Sequence, residues 1–239
     1  MKFNICILFL LIANSMSSQT PKEKLTSLIC NCYEEAPQTE NVNFELLKTC
    51  FDFSSEPYTP ILEEAVREEF KKLHIDTLDT SSNYQNGYKI GSEIGQQLMN
   101  DVQEPLINSC DTYFEFMEKT KKEMVSNLGK DLNKKRVDSL KRLFKKKDWQ
   151  PDIQWEIGAY YLSKGKHKKA EKNFKKCLSK DGTHMPSLFF LAIIDDFNEK
   201  YTSSIHRLEA VDLNPSHPFM FMRTIYIEAA KRKKRESRP

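Results

Sequence analysis

The sequence predicts an all-α protein, and three observations carry that expectation. Glycine is scarce, 7 in 239 residues, so the phosphate-cradling loops and clustered turns of nucleotide-binding and many-stranded folds are missing. Apolar residues recur at three- and four-residue spacing in one segment after another, the period of an amphipathic helix. A 34-residue stretch beginning at Pro151 is followed by a second of similar pattern, as expected of stacked helical hairpins. Charged residues at 30% and apolar ones at 39% exclude a multispan membrane protein and a disordered chain of low hydrophobicity. The net charge of +3 conceals a division. Residues 19–118 carry 7 basic against 19 acidic side chains, giving −12, whereas residues 119–239 carry 29 against 15, giving +14. The chain therefore reads as a signal segment (1–18), an acidic helical domain (19–118), a basic linking helix (119–150), an array of hairpins with a capping helix (151–235) and a tail (236–239).

Lys2 precedes an unbroken apolar run from Ile5 to Ala13, and the small polar stretch Asn14 to Ser18 follows. That is the order of a cleaved secretory signal, with Gln19 taken as the mature start. The run is about half the ~20 residues a membrane-spanning helix needs, so export with no span after cleavage is expected. Cys6 has no small-residue triplet before it, which argues against a lipid-modified cysteine. Asn214-Pro-Ser is the sole Asn-x-Ser/Thr match and proline disqualifies it, which leans towards a bacterial exported protein of the periplasm or exterior.

Five short helices are expected in the acidic half. The first runs from Pro21 to Glu35 and ends at Ala36-Pro37, because the residue before proline disfavours the α region. A second spans Asn43 to Phe51. Pro60 opens a third, with Ile61, Leu62, Ala65, Val66 and Phe70 inward and Glu63, Glu64, Glu68 and Glu69 in solvent. Tyr88, Gly91, Ile94, Leu98 and Val102 spell a fourth, in which Gly91 and Gly95 suggest a close helix contact. Pro105 marks a break before the stripe Leu106, Ile107, Cys110, Phe114, Met117.

Cys30, Cys32, Cys50 and Cys110 fall within about eighty residues. In an oxidising compartment four such cysteines read as two disulfides stapling a small bundle. Cys32 shares a helix face with Leu25, Leu28 and Ile29, while Cys30 lies about 200° away, so the two cannot share one partner. The expected pairing is Cys32 with Cys110 and Cys30 with Cys50. A zinc site lacks ligand pairs, with His74 the sole soft companion, and no metal is expected. A redox-active Cys-x-Cys is the competing reading, although Glu34 and Glu35 beside it would raise a thiol's pKa.

From Pro151 the residues run PDIQWEIGAYYLSKGKHKKAEKNFKKCLSKDGTH. Ile157-Gly158 followed by Tyr161, the turn at Gly165, then Ala170, Phe174 and Cys177 resemble the tetratricopeptide repeat, two helices per 34 residues. One period later come Leu191-Ala192, with Ala210 in the place of Cys177 one residue early and Pro215 closing the unit. Phe219 to Ala230 resembles the capping helix of such arrays, and the helix Val137 to Lys147 is expected to stack on the first pair. The resemblance covers about 85 residues. It implies a scaffold that binds a protein or peptide, with no catalysis and no cofactor. The family's groove positions fall on Trp155, Ala159, Leu162, Phe189, Ile193 and Phe197, all apolar. Trp155 and Ala159 replace the Lys and Asn of members that clamp a carboxylate, so that subfunction is not expected. The groove is open either to a partner or to the chain's own helices.

The basic half would attract nucleic acid in a cytosolic chain. Export redirects the expectation to anionic envelope surfaces, through the lysine-rich helices and the run Lys231 to Arg238. No nucleophile, acid–base pair or histidine motif points to catalysis.

Overall fold

The structure is a computed structural model that describes residues 19–36, 44–52, 56–72, 94–146, 150–211 and 219–238. The expected signal segment and Pro215 lie outside these residues. The described residues are helical throughout, with no strand, as the periodicity predicts. The chain forms two compact units that divide after Thr112. No described helix is long and apolar enough to cross a membrane.

In the first unit, α1 (Pro21–Glu35) starts at a capping box. Thr20 Oγ1 accepts from the Glu23 amide and the Glu23 carboxylate accepts from the Thr20 amide, satisfying donors that a helix start otherwise orphans. Its buried face is Leu25, Ile29 and Tyr33. Against α1 pack α2 (Phe44–Cys50), α3 (Thr59–Lys72) and α4 (Gln103–Ser109). Tyr58, ahead of α3, donates its hydroxyl to the Cys50 carbonyl at 2.8 Å, and Lys24 of α1 pairs with Glu64 of α3 at 2.6 Å. Glu64 is thus an inter-helix partner rather than one more solvated carboxylate.

Residues 94–101 are helical, and the break falls at Val102, three residues before the expected Pro105. The reason is steric: a proline ring clashes with the carbonyl four residues back, here that of Asp101. Gly95 meets open space, so the close contact expected of it is not formed, and Gly91 lies outside the described residues.

Two disulfides staple this unit, Cys30–Cys110 and Cys32–Cys50, with Cα separations of 5.7 and 5.6 Å. The pairing is the reverse of the expected one. The buried stripe is centred on Ile29, so Cys30 lies about 100° to one side and Cys32 about 60° to the other. Each cysteine reaches the helix on its own flank, Cys30 the end of α4 and Cys32 the end of α2.

The second unit begins in the first turn of α5 (Asp111–Asn127), which runs through position 118, where a domain boundary was expected. α6 (Lys134–Lys146) packs on the first of two hairpins, α7 (Pro151–Ser163) with α8 (His167–Leu178) and α9 (Met185–Phe197) with α10 (Tyr201–Glu209). α8 packs on α9, and α11 (Phe219–Glu236) packs on α10.

The hairpins repeat at 34 residues down to their turns. Lys164 and Asn198 end the first helices at φ/ψ −99°/14° and −95°/15°. Gly165 and Glu199 follow at φ 66° and 60°, then Lys166 and Lys200 at −88°/60° and −87°/56°. The lysine amides reach back to the carbonyls of Tyr161 and Asp195 at 2.9 and 2.8 Å. Ala170, Phe174 and Cys177 are buried, and so are their counterparts Ser204, Leu208 and Val211. The one-residue slip that put Ala210 in the place of Cys177 is therefore not present. Ala210 is exposed, and Val211 takes the core position of Cys177.

Candidate functional site

An apolar pocket of about 320 Å³ opens in the second unit, against the first helices of both hairpins. Trp155 of α7 forms one wall. Met185, Pro186, Phe189 and Phe190 of α9 form a second, with Val211 beyond α10, and Met124 and Leu128 come from α5 and the residue after it. Helix spacing sets this up: Met124 and Leu128 are four apart, as are Met185 and Phe189, so each pair stands on one face. Aromatic contacts fix the floor, with Trp155 and Phe190 centroids 6.0 Å apart, Phe190 and Phe189 5.4 Å, and Phe189 and Tyr226 5.7 Å.

The surface that lines the pocket is wholly apolar. Trp155 Nε1 is buried and has no hydrogen-bond partner. An indole N–H in apolar surroundings ordinarily finds an acceptor, and leaving it unmade costs about 1–3 kcal/mol.

In the same unit α5, α9 and α11 meet at a buried cluster of four charges. Lys121 of α5 is 1% exposed. Its ammonium donates to Glu118 Oε1 and, at 2.7 Å, to Asp196 Oδ2, and it stands 5.0 Å over the Tyr226 ring. Lys233 of α11 donates to the same Asp196 oxygen at 2.6 Å and to Glu118 Oε2 at 3.0 Å. Burial pushes the Lys121 ammonium down, against the pull of Glu118 and Asp196. For Lys233 burial acts the same way, but those two carboxylates outweigh it and hold its pKa up. The four side chains of the cluster come from three helices, so this arrangement fastens α5, α9 and α11 together. Next to it, Asp195 accepts from Ser203 at 2.6 Å and from Arg207 at 2.7 Å, tying α9 to α10.

Comparison with protein-family models, with curated proteins and with solved structures finds no match. The site is therefore read from its own residues.

Of the expected groove residues, Ala159, Leu162, Phe189 and Ile193 are buried within the chain itself. Trp155 and Phe189 line the pocket, while Phe197 is half-buried and stacks on His167, centroids 5.6 Å apart. Among the expected packing positions, Ile157, Gly158, Ala170, Phe174, Cys177, Leu191 and Ala192 are buried. Tyr161 is not: it stands half-buried with Lys141 and Lys169 over its ring at 5.3 and 5.6 Å. Cys177 is a free buried thiol whose pKa burial pushes up.

Cys30 and Cys32 are each bonded to a distant cysteine rather than to one another. Cys30, Glu34 and Cys110 are near enough together to suggest a metal site, but both sulfurs are in the disulfide. Met124, Leu128, Lys121 and Lys233 were not anticipated as site residues. The available signal was Asp195-Asp196 closing the otherwise apolar helix 188–197, since buried acids require cations from elsewhere.

Proposed function

We propose that this chain is an exported, non-catalytic scaffold of the tetratricopeptide type, whose apolar pocket receives the anchor residue of a protein partner. The observation that carries the reading is the pocket itself: about 320 Å³ and apolar on every side. Such a site favours an apolar side chain, of the kind a peptide segment presents as its anchor. The 34-residue hairpin period supports the family reading. The two disulfides support an oxidising compartment outside the cytosol, the periplasm or the cell exterior. The redox alternative is less favoured, because Cys30 and Cys32 are held in two separate bonds.

The test uses Trp155 as reporter in a Trp149→Phe background, where it is the sole indole. Peptides selected on the oxidised protein from a random library should carry an apolar anchor, shift Trp155 emission, and lose at least tenfold in affinity to Met185→Glu. Peptides without such an anchor, or indifferent to Met185→Glu, would overturn the reading.

A further inference from the structure

The solvent side of α8 is a row of lysines. Every exposed position of the helix is lysine, at 168, 169, 172, 175 and 176, and exposed Lys180 continues the row just beyond it. Local energetics oppose this arrangement. Lys168, Lys172, Lys176 and Lys180 follow one another at four-residue spacing, where like charges repel. The first turn of α8 holds lysines and no acid, at the positive end of the helix dipole.

Neither packing nor ion pairing explains the row. One period later the same five helical positions hold Thr202, Ser203, His206, Glu209 and Ala210, so the hairpin forms without lysines there. Lys175 pairs with Glu171 at 2.6 Å, and among the described residues no other lysine of the row has an ion pair. Three basic residues of α11, part of the run that the sequence also offered for an anionic surface, behave differently. Lys231 pairs with Glu228, Arg232 with Glu236 and over Phe114, and Lys233 enters the buried cluster. Through Tyr161, over whose ring both Lys169 and Lys141 stand, the row joins the basic helix α6.

We propose that this face docks the protein on an anionic lipid surface. The row is lysine without arginine, hydrated point charges on flexible stems that suit diffuse headgroup phosphates better than two-pronged recognition. Tyr161 beside it is half-buried with two ammonium groups over its ring, so it is a poor platform of the kind that grips single-stranded nucleic acid. The length of the row, about 18 Å from 168 to 180 at helical rise, spans several headgroups. None of the pocket's lining residues lies on α8, so docking does not use the proposed partner site.

The experiment is co-sedimentation of the full, oxidised chain with vesicles of phosphatidylglycerol and phosphatidylcholine in equal parts, and with phosphatidylcholine alone. Binding is expected to the anionic vesicles alone, and to be lost at about 1 M salt, where the screening length falls to about 3 Å. The triple variant Lys168→Thr, Lys172→His, Lys176→Ala copies α10 onto α8, and should bind about a hundredfold more weakly with unchanged helicity. Lys71→Gln, Lys122→Gln, Lys130→Gln removes the same number of exposed charges elsewhere and should change affinity less than threefold. Should the first triple fail to fold, Lys172→Glu alone is expected to weaken binding at least tenfold. Absence of binding by the parent, equal losses in the two triples, or capture of soluble polyphosphate without vesicle binding would overturn the proposal.

Discussion

Lys121 Nζ lies 2.7 Å from Asp196 Oδ2, seventy-five residues on, at the position where the preceding hairpin carries Leu162. One repeat fills that place with a buried leucine and the next with a carboxylate that is 4% exposed. The change converts a packing position into a tie between α9, α5 and α11. Asp196 Oδ1 has no partner at all, so the tie is made at one oxygen.

Breaking that tie from one side should be costly. Lys121→Met alone or Asp196→Leu alone leaves a buried charge short of its partner, with an expected loss of about 3–5 kcal/mol. The double variant restores the leucine of the first hairpin and leaves Lys233 with Glu118, so most of the loss should return. Urea unfolding followed by the emission of Trp155 in a Trp149→Phe background checks this, since Trp155 belongs to the second unit. Additive losses in the double variant would contradict the coupling.

Tyr226 gives a pH signature. Burial raises its phenol well above the ordinary value, and its hydroxyl has no hydrogen-bond partner. The unfolded chain ionises near pH 10 while the folded one holds its proton, so stability is intact below pH 10 and falls above it. The expected slope from this group is about 1.4 kcal/mol per pH unit. Tyr226→Phe should remove that slope and cost little at neutral pH, because no hydrogen bond is lost. Stability curves of the two proteins from pH 8 to about 11 that stay parallel would refute the assignment.

Much of the fold was legible because helices announce themselves locally. The Leu25–Ile29–Tyr33 stripe and the spacing from Gly158 to Ala192 need no knowledge of distant residues. The disulfide pairing depended on where the buried stripe of α1 is centred, and a 60° error in that centre exchanged the partners of Cys30 and Cys32. Ala210 was mistaken for Val211 because a small residue near the expected place satisfied the pattern, whereas the turn at Glu199 keeps full register. The buried charges were least legible. A lysine among Lys119, Lys121 and Lys122 reads as solvated surface, and its carboxylate partner is set by the tertiary packing of three helices. For the same reason Met124 and Leu128, which precede the repeat, gave no sign of lining the pocket.

The two disulfides should differ in weight. Cys30–Cys110 closes a separation of 80 residues and Cys32–Cys50 one of 18. Chain entropy then assigns about 4.5 kcal/mol to the first and about 3 kcal/mol to the second. Replacing Cys30 and Cys110 by alanine should lower the unfolding midpoint of the first unit more than replacing Cys32 and Cys50. Calorimetry of the two pairwise variants decides it, and the reverse order would contradict this estimate.

Gly158 and Phe174 form a matched pair across the first hairpin. A Cβ at 158 would come within 2.5 Å of the Phe174 ring, so alanine there cannot fit without moving a buried aromatic. The second hairpin solves the same contact the other way, with Ala192 opposite Leu208 at the corresponding positions. Gly158→Ala should therefore destabilise by about 1–3 kcal/mol, the usual cost of overpacking. Adding Phe174→Leu, which reproduces the second hairpin's pair, should recover a large part of that loss, although Phe174→Leu alone would destabilise by opening space beside Phe190. Thermal unfolding of the two single variants and the double gives the coupling directly, and a double variant no better than the sum of the singles would show that the hairpins are not equivalent at this contact.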